Sequence, residues 1–201
     1  MFIQFKVLCV LFFDIIGNCF SKKNHSFITV TDEVVEIPSW DAIFMSMVYL
    51  ISMKSKDQST HIGSVIVGPK NEIISLGFNS FPMGIDDSVE ERQERPEKYS
   101  FFEHGERNSI YLATRNGVSL KNSKMYTQGM PCTDCCRGII QVGIEEVILH
   151  KSWDDLSGQE KWKDSAIRSK QMFMEAGVKI RYYNGPILAI KGLRGGTTIA
   201  F

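Results

Sequence analysis

The chain has 201 residues, 43% of them hydrophobic and 11% aromatic, which suffices for one compact domain with a sizeable core. Its 23 basic residues balance 23 acidic ones, so the composition does not imply the broad basic surface of a nucleic-acid binder.

The first 36 residues stand apart from the rest. Positions 1–17 are strongly apolar and run into a polar patch at 21–25, yet Lys6 is the only early cation, Asp14 interrupts the apolar run and no clean cleavage site follows. The run is also short of the roughly 20 residues that a membrane span needs. It reads as an N-terminal extension or a mis-assigned start. No membrane contact is expected of the folded domain, which is placed at 37–185 and followed by a tail over 186–201.

From Ser39 onward helical and strand patterns alternate, which predicts an α/β fold with helices packed on a central sheet. A helix is expected over 40–54, with Ser39 as its N-cap and Ile43, Met47, Leu50 and Ile51 on one apolar face. Strands over 62–67 and 72–78 follow, joined by the hairpin turn Gly68-Pro69-Lys70-Asn71. Residues 86–99 are a charged run of the kind that forms a solvated loop. Beyond it come a helix over 106–115 stopped at Asn116-Gly117, a strand over 124–127 and a helix opening at Cys132. A strand over 146–150, a helix over 159–175 ended by Gly177 and a strand over 178–183 complete the series. The five strands are expected to form one mixed sheet. His61 and His150 read as strand-edge residues, and 184–201 carries no usable pattern.

The chemistry concentrates in His104-Gly105-Glu106 and, further along, in Pro131-Cys132-Thr133-Asp134-Cys135. One His and two Cys make the three protein ligands of a catalytic zinc site, whose fourth tetrahedral position takes a water that the metal makes acidic. Cys132 and Cys135 lie three residues apart at a helix start, where the dipole favours thiolate, and can converge on one ion. His104 opens the other helix, so two helix N-termini would face each other across the metal. Glu106 is then an unligated carboxylate free to carry protons, the arrangement of zinc-dependent nucleobase deaminases. A redox pair leaves the His-x-Glu unexplained, and a closed structural zinc wants a fourth ligand, for which only Cys136 or a distant His remains. Cys136 lies about 100° around the helix from Cys135 and reads as a small buried residue. With two of five Cys on a metal, a reducing cytosol fits better than a disulfide framework.

Three further segments surround these motifs: Pro38-Ser39-Trp40-Asp41, His61-Ile62-Gly63-Ser64-Val65-Ile66-Val67 and Gly77-Phe78-Asn79-Ser80-Phe81-Pro82-Met83-Gly84. Together they make residues 38–183 resemble the cytidine and deoxycytidylate deaminase superfamily, and within it the deoxycytidylate deaminases. The zinc motif is shared across the superfamily, and the segment from Gly77 to Gly84 is the more specific mark. The resemblance implies a three-layer cytidine-deaminase-like fold, a zinc cofactor and hydrolytic deamination of dCMP to dUMP with release of ammonia, supplying thymidylate synthesis. It also implies a small-molecule nucleotide substrate rather than nucleic acid, with Asn79 at the sugar and the Gly105 N–H at the base carbonyl. A cytoplasmic, self-associating enzyme is the expectation. Arg95, Lys98 and Arg107 are candidate donors to a substrate phosphate, with 86–99 as a lid, and Phe81 and Trp153 are candidates to stack on the base. Two positions depart from the family: Gly105 stands where Ala is usual, and Ser80 where Gly is usual, a change that matters if the backbone there needs positive φ. Other readings are a deaminase for another cytosine or purine compound or for transfer-RNA adenosine, against which the balanced charge weighs. A silent nucleotide-binding zinc domain is a further one, against which the intact Glu106 weighs.

Overall fold

In the computed structural model, residues 27–30, 33–156, 160–189, 191–194 and 197–200 are described. The apolar leader lies outside them. Strands β1 (Phe27–Val30) and β2 (Glu33–Glu36) pair antiparallel as a hairpin within one unit, Met1–Ile37, and a second compact unit begins at Pro38.

Helix α1 (Trp40–Ser52) opens where expected, because the Ser39 hydroxyl accepts the Ala42 N–H at 3.2 Å and satisfies a donor that the helix start leaves open. Its buried stripe is Phe44, Met45 and Val48, flanked by Ile43 and Met47, while Leu50 is 54% exposed. This corrects the expected face. Apolar residues surround most of this helix, so their spacing fits two stripes, and the sheet selects one.

Strands β3 (Gly63–Val67) and β4 (Ile73–Phe78) form the expected hairpin, whose turn closes through the Gly68 N–H to the Glu72 carbonyl at 2.8 Å. Asn71 there adopts φ 65°, which Asn tolerates. The charged run that follows holds a 3₁₀ turn at Glu90–Gln93 and a single helical turn, α2 (Lys98–Phe101). Its neck is tied by a two-way backbone pair, Ser80 N–H to Glu103 O at 3.0 Å and Glu103 N–H to Ser80 O at 2.8 Å. Next come α3 (Gly105–Arg115), β5 (Lys124–Thr127), α4 (Thr133–Gln141) and β6 (Glu146–His150). The series continues with α5 (Lys151–Leu156), α6 (Glu160–Glu175) and β7 (Lys179–Tyr183). In the stretch without a sequence pattern, β8 (Lys191–Arg194) and β9 (Thr197–Ala200) form an antiparallel hairpin.

The central sheet runs β4-β3-β5-β6-β7, with β3 antiparallel to both neighbours and β5, β6 and β7 parallel, the mixed five-stranded sheet expected. The two-residue period of its strands sorts the core into two halves. Val65, Tyr126 and Ile148 lie in register and pack beneath Phe44, Met45 and Val48 of α1. The adjoining row, Ile66, Met125 and Val147, faces the other way, into Ile110 and Ala113 of α3, Ile139 of α4 and Phe173 of α6. Helices therefore cover both faces, giving three layers, and each fully buried aliphatic contributes about 1.5–3 kcal/mol. His150 ends β6, an inner strand, and is buried with its Nδ1 2.6 Å from the Tyr49 hydroxyl, which corrects its reading as an edge residue.

Phe78 at the end of β4 pairs with Gly63, and Thr127 at the end of β5 pairs with Ser64, so both strands finish beside the start of β3. That shared sheet end is where α3 and α4 begin. Gly77 lets α3 settle on β4, since a Cβ there would meet the Gly105 carbonyl oxygen and the Ser109 nitrogen at 2.4 Å. No helix among the described residues is long and apolar enough to cross a membrane.

Candidate metal centre and active site

His104 and Cys132 are the N-cap residues of α3 and α4, and neither side chain caps its own helix. Extended backbone at both caps (ψ 152° and 168°) turns the two side chains away from their helices and towards each other. Cys135, in the first turn of α4 and fully buried, joins them. His104 Nδ1 lies 3.4 Å from Cys132 Sγ and 3.5 Å from Cys135 Sγ, and the three ligand atoms fall within 4.8 Å of one another. Tetrahedral zinc with ordinary Zn–S and Zn–N bonds sets S···N at about 3.6 Å. Both S···N separations therefore already match what a zinc ion requires, and the donor set of one imidazole and two thiols suits that metal.

The three groups also perturb one another's protonation. His104 is raised to about 9, first by its hydrogen bond with Cys132 and further by the charge of Glu106. Cys132 is pushed down to about 4, first by hydrogen bonding with Cys135 and then, against burial, by His104. Cys135 is held well above the usual thiol range by that same hydrogen bond and by burial. A metal takes thiolate sulfur and neutral imidazole, so an ion held here would displace protons from the thiols and from His104.

Glu106 follows His104 by two positions and is only 5% exposed. Its Oε2 has no hydrogen-bond partner among the described residues, and burial pushes its carboxyl above the ordinary range against the opposing charge of His104. A buried, unpaired carboxyl oxygen beside three metal-competent groups is costly for folding alone and apt for moving protons. Gly105 between them cannot take a Cβ without change, since that atom would lie 2.8 Å from the Ile62 carbonyl oxygen. The family's usual Ala would need the first turn of α3 to lift.

Other expected site residues fall into defined places. Asn79 is buried, with Oδ1 accepting the Ile62 N–H at 2.8 Å and Nδ2 donating to Asp57 Oδ2 at 3.0 Å and to the Thr60 carbonyl at 2.9 Å. Ser80 is absent from the positive-φ residues of the described chain, so replacing Gly costs no backbone strain there. Arg107 pairs closely with Glu103 and reaches Asp134 of α4 at 3.7 Å, bridging the two helix starts. Although burial opposes it, the Glu103 hydrogen bond holds its guanidinium firmly charged. Lys98 is buried against Asp57 at 2.5 Å, which spacing along the chain did not foretell. Arg95 lies over the Tyr99 ring at 5.9 Å. Phe81 packs on Phe102 with ring centroids 4.4 Å apart, and Trp153 meets Tyr49 edge-on at 6.2 Å. His61 is exposed with Nε2 3.0 Å from the Asp57 carbonyl, and Cys136 is buried, its thiol directed at the Ser169 carbonyl.

Sequence reasoning passed over Asp57. Its local signal was legible, because Asp followed two residues later by Ser is a turn former, and the Ser59 N–H does bond Asp57 Oδ1 at 2.7 Å. Its link to Lys98, 41 positions away, was not.

The profile of the cytidine and deoxycytidylate deaminase zinc-binding region matches residues 38–151. Among similar proteins, the deaminase in the luxG 3′ region of Aliivibrio fischeri is 35% identical over 146 residues, covering 73% of this chain and 95% of that protein. Human deoxycytidylate deaminase is 32% identical over 149 residues, 72% of this chain and 79% of the human protein. In fold the chain is similar to the dCMP deaminase of cyanophage S-TIM5 solved with dCMP and dUMP, at a TM-score of 0.56 and 20% identity over 71% of this chain and 96% of that one. With the matched region spanning more than half of the sequence and every residue of this centre, the chain belongs to the cytidine and deoxycytidylate deaminase family of zinc-dependent hydrolases, which cleave a ring-amidine C–N bond.

Proposed function

We propose that the protein deaminates dCMP to dUMP, with His104, Cys132 and Cys135 holding zinc and Glu106 carrying the protons. One observation carries this: the His104 imidazole stands 3.4 and 3.5 Å from two sulfurs, next to a buried Glu106 oxygen without a partner. Zinc supplies Lewis acidity that makes water nucleophilic near neutral pH. Glu106 takes the proton released by the attacking water and passes it to the ring nitrogen. It then takes the second proton, from the hydroxyl added to the ring carbon, and gives it to the amine, so that the C–N bond breaks as the new carbonyl forms and ammonia leaves. Burial favours this role, since it brings the neutral and charged forms of the carboxyl closer in energy at working pH. The Gly105 N–H, in the first turn of α3 where no helical acceptor exists, donates to the carbonyl of the base. Arg107 has five N–H donors and two acidic neighbours, and its remaining donors serve the phosphate.

Support for dCMP over other amines comes from the human relative, a deoxycytidylate deaminase, and from the phage protein of similar fold bound to dCMP and dUMP. The same reading carries a cytoplasmic location and self-association in solution, and sedimentation of the purified full chain is the check on the latter. The test is ammonia release by the zinc-loaded full chain offered dCMP, deoxycytidine, dCTP, CMP and guanine separately. Preference for dCMP is expected. Preference for another compound moves the substrate while keeping the site, and silence on all five removes the proposal. Comparing dCMP with deoxycytidine in Arg107→Ala tests the phosphate contact, because only the dCMP KM should rise.

A further inference from the structure

Asp57, Asn79 and Lys98 form a buried polar cluster apart from the metal, at 7%, 7% and 8% exposure. They come from three segments: the loop before β3, the end of β4 and α2 within the charged run. Lys98 Nζ donates to Asp57 Oδ1 at 2.5 Å and to Ser59 Oγ at 2.9 Å. Asp57 Oδ1 also accepts the N–H groups of Ser59 and Thr60, at 2.7 and 3.1 Å, leaving Oδ2 for Asn79 Nδ2 at 3.0 Å. A buried ion pair of this kind is a poor source of stability, because the desolvation of two charges roughly offsets their attraction. Its value here lies in orientation.

The bonding of Asn79 is unambiguous. Ile62 N–H can only donate, and Asp57 Oδ2 and the Thr60 carbonyl can only accept, so Oδ1 and Nδ2 cannot exchange places. Both amide protons are engaged, and the remaining capacity is one lone pair on Oδ1. Asn79 can therefore meet a ligand only as an acceptor. The neck of the charged run, the Ser80–Glu103 backbone pair, adjoins Asn79 on one side and His104 on the other, so Lys98 anchors the whole run at the point where both residues are set.

The geometry points to Lys98 and Asp57 as positioning residues for the deamination. Acting through the Asn79 amide, they hold a single acceptor for a sugar hydroxyl of the nucleotide and tie the 86–102 segment to the site. This rests on the reading of Asn79 as the sugar contact. The test measures kcat and KM of the zinc-loaded full chain on dCMP and on the analogue lacking the 3′-hydroxyl, for the parent, Asn79→Ala and Lys98→Met, with zinc content determined for each. In Lys98→Met the dCMP KM should rise about tenfold, the worth of one lost hydrogen bond, and the preference for the hydroxyl-bearing substrate should fall, while kcat and zinc content stay within about twofold. A purely structural role would lower active fraction and zinc content without touching that preference. If Asn79→Ala erases the preference and Lys98→Met retains it, the positioning role is overturned and the Asn79 reading stands. If Asn79→Ala itself retains the preference, the underlying reading fails and the inference with it. Should Lys98→Met not fold, the paired change Asp57→Asn with Lys98→Met, which leaves no buried charge unpaired, carries the same expectation.

Discussion

Glu106 shows how one residue type acquires a role from its surroundings. The same carboxylate at the surface would be fully solvated; here it is buried, lacks a partner on Oε2 and sits two positions from a metal-competent imidazole. Glu106→Gln keeps the shape and removes the proton shuttle, so kcat should fall by about 10²–10⁴. Zinc content, read by elemental analysis, should not change. Turnover that survives the substitution would take Glu106 out of the mechanism. The metal-competent Cys and His residues were legible because their chemistry is tied to local spacing: two Cys three apart at a helix start must lie on one side of it. Asn79 was legible as a residue but not as a bonded group, since its partners Asp57 and Thr60 lie in a different loop.

Elements were read well where a local signal defines them and poorly where packing decides. Ser39 and the 68–71 turn carry their own chemistry, a capping hydroxyl and a left-handed Asn, and both appear in place. The buried face of α1 did not, because this helix is apolar nearly all round and only its contact with Val65, Tyr126 and Ile148 chooses among faces. Gly77 is a second case. Its sequence context suggests an ordinary strand residue, yet α3 presses on it closely enough that Gly77→Ala forces backbone apart. That substitution should destabilise the protein by about 1–3 kcal/mol, measured as a lowered urea midpoint with unchanged m-value.

For the whole molecule, metal and protons are the levers. The three ligand groups come from two separate helix starts, so an ion that binds them favours the folded chain over the unfolded one. Removing zinc with a chelator should lower Tm, and adding it back should restore both Tm and activity. Acid acts elsewhere. Burial opposes ionisation of Asp57, but hydrogen bonds from Lys98 and the Ser59 and Thr60 backbone outweigh it; at Asp41, likewise, burial is outweighed by Arg181 and Tyr126. Both carboxyls are held below the ordinary range, so the folded state binds fewer protons than the unfolded one. Their contribution is complete above the unfolded value of about 4 and is lost as pH falls through the lower folded values. Urea midpoints from pH 7 to 3 should show this loss, and the paired Asp57→Asn, Lys98→Met change should flatten it.

Motif spacing and the two hydrophobic periods, both properties of neighbours along the chain, by themselves determined the three metal-competent residues, the order of the five central strands with α1, α3, α4 and α6 between them, and the mixed sheet. Tertiary structure alone decided which face of α1 is buried, that His150 lies inside, that Arg107 spans two helices and that Lys98 is locked to Asp57. The difference is physical. Caps, turns and ligand pairs are closed by residues a few positions apart, whereas burial and ion pairing at long range exist only once separate segments meet.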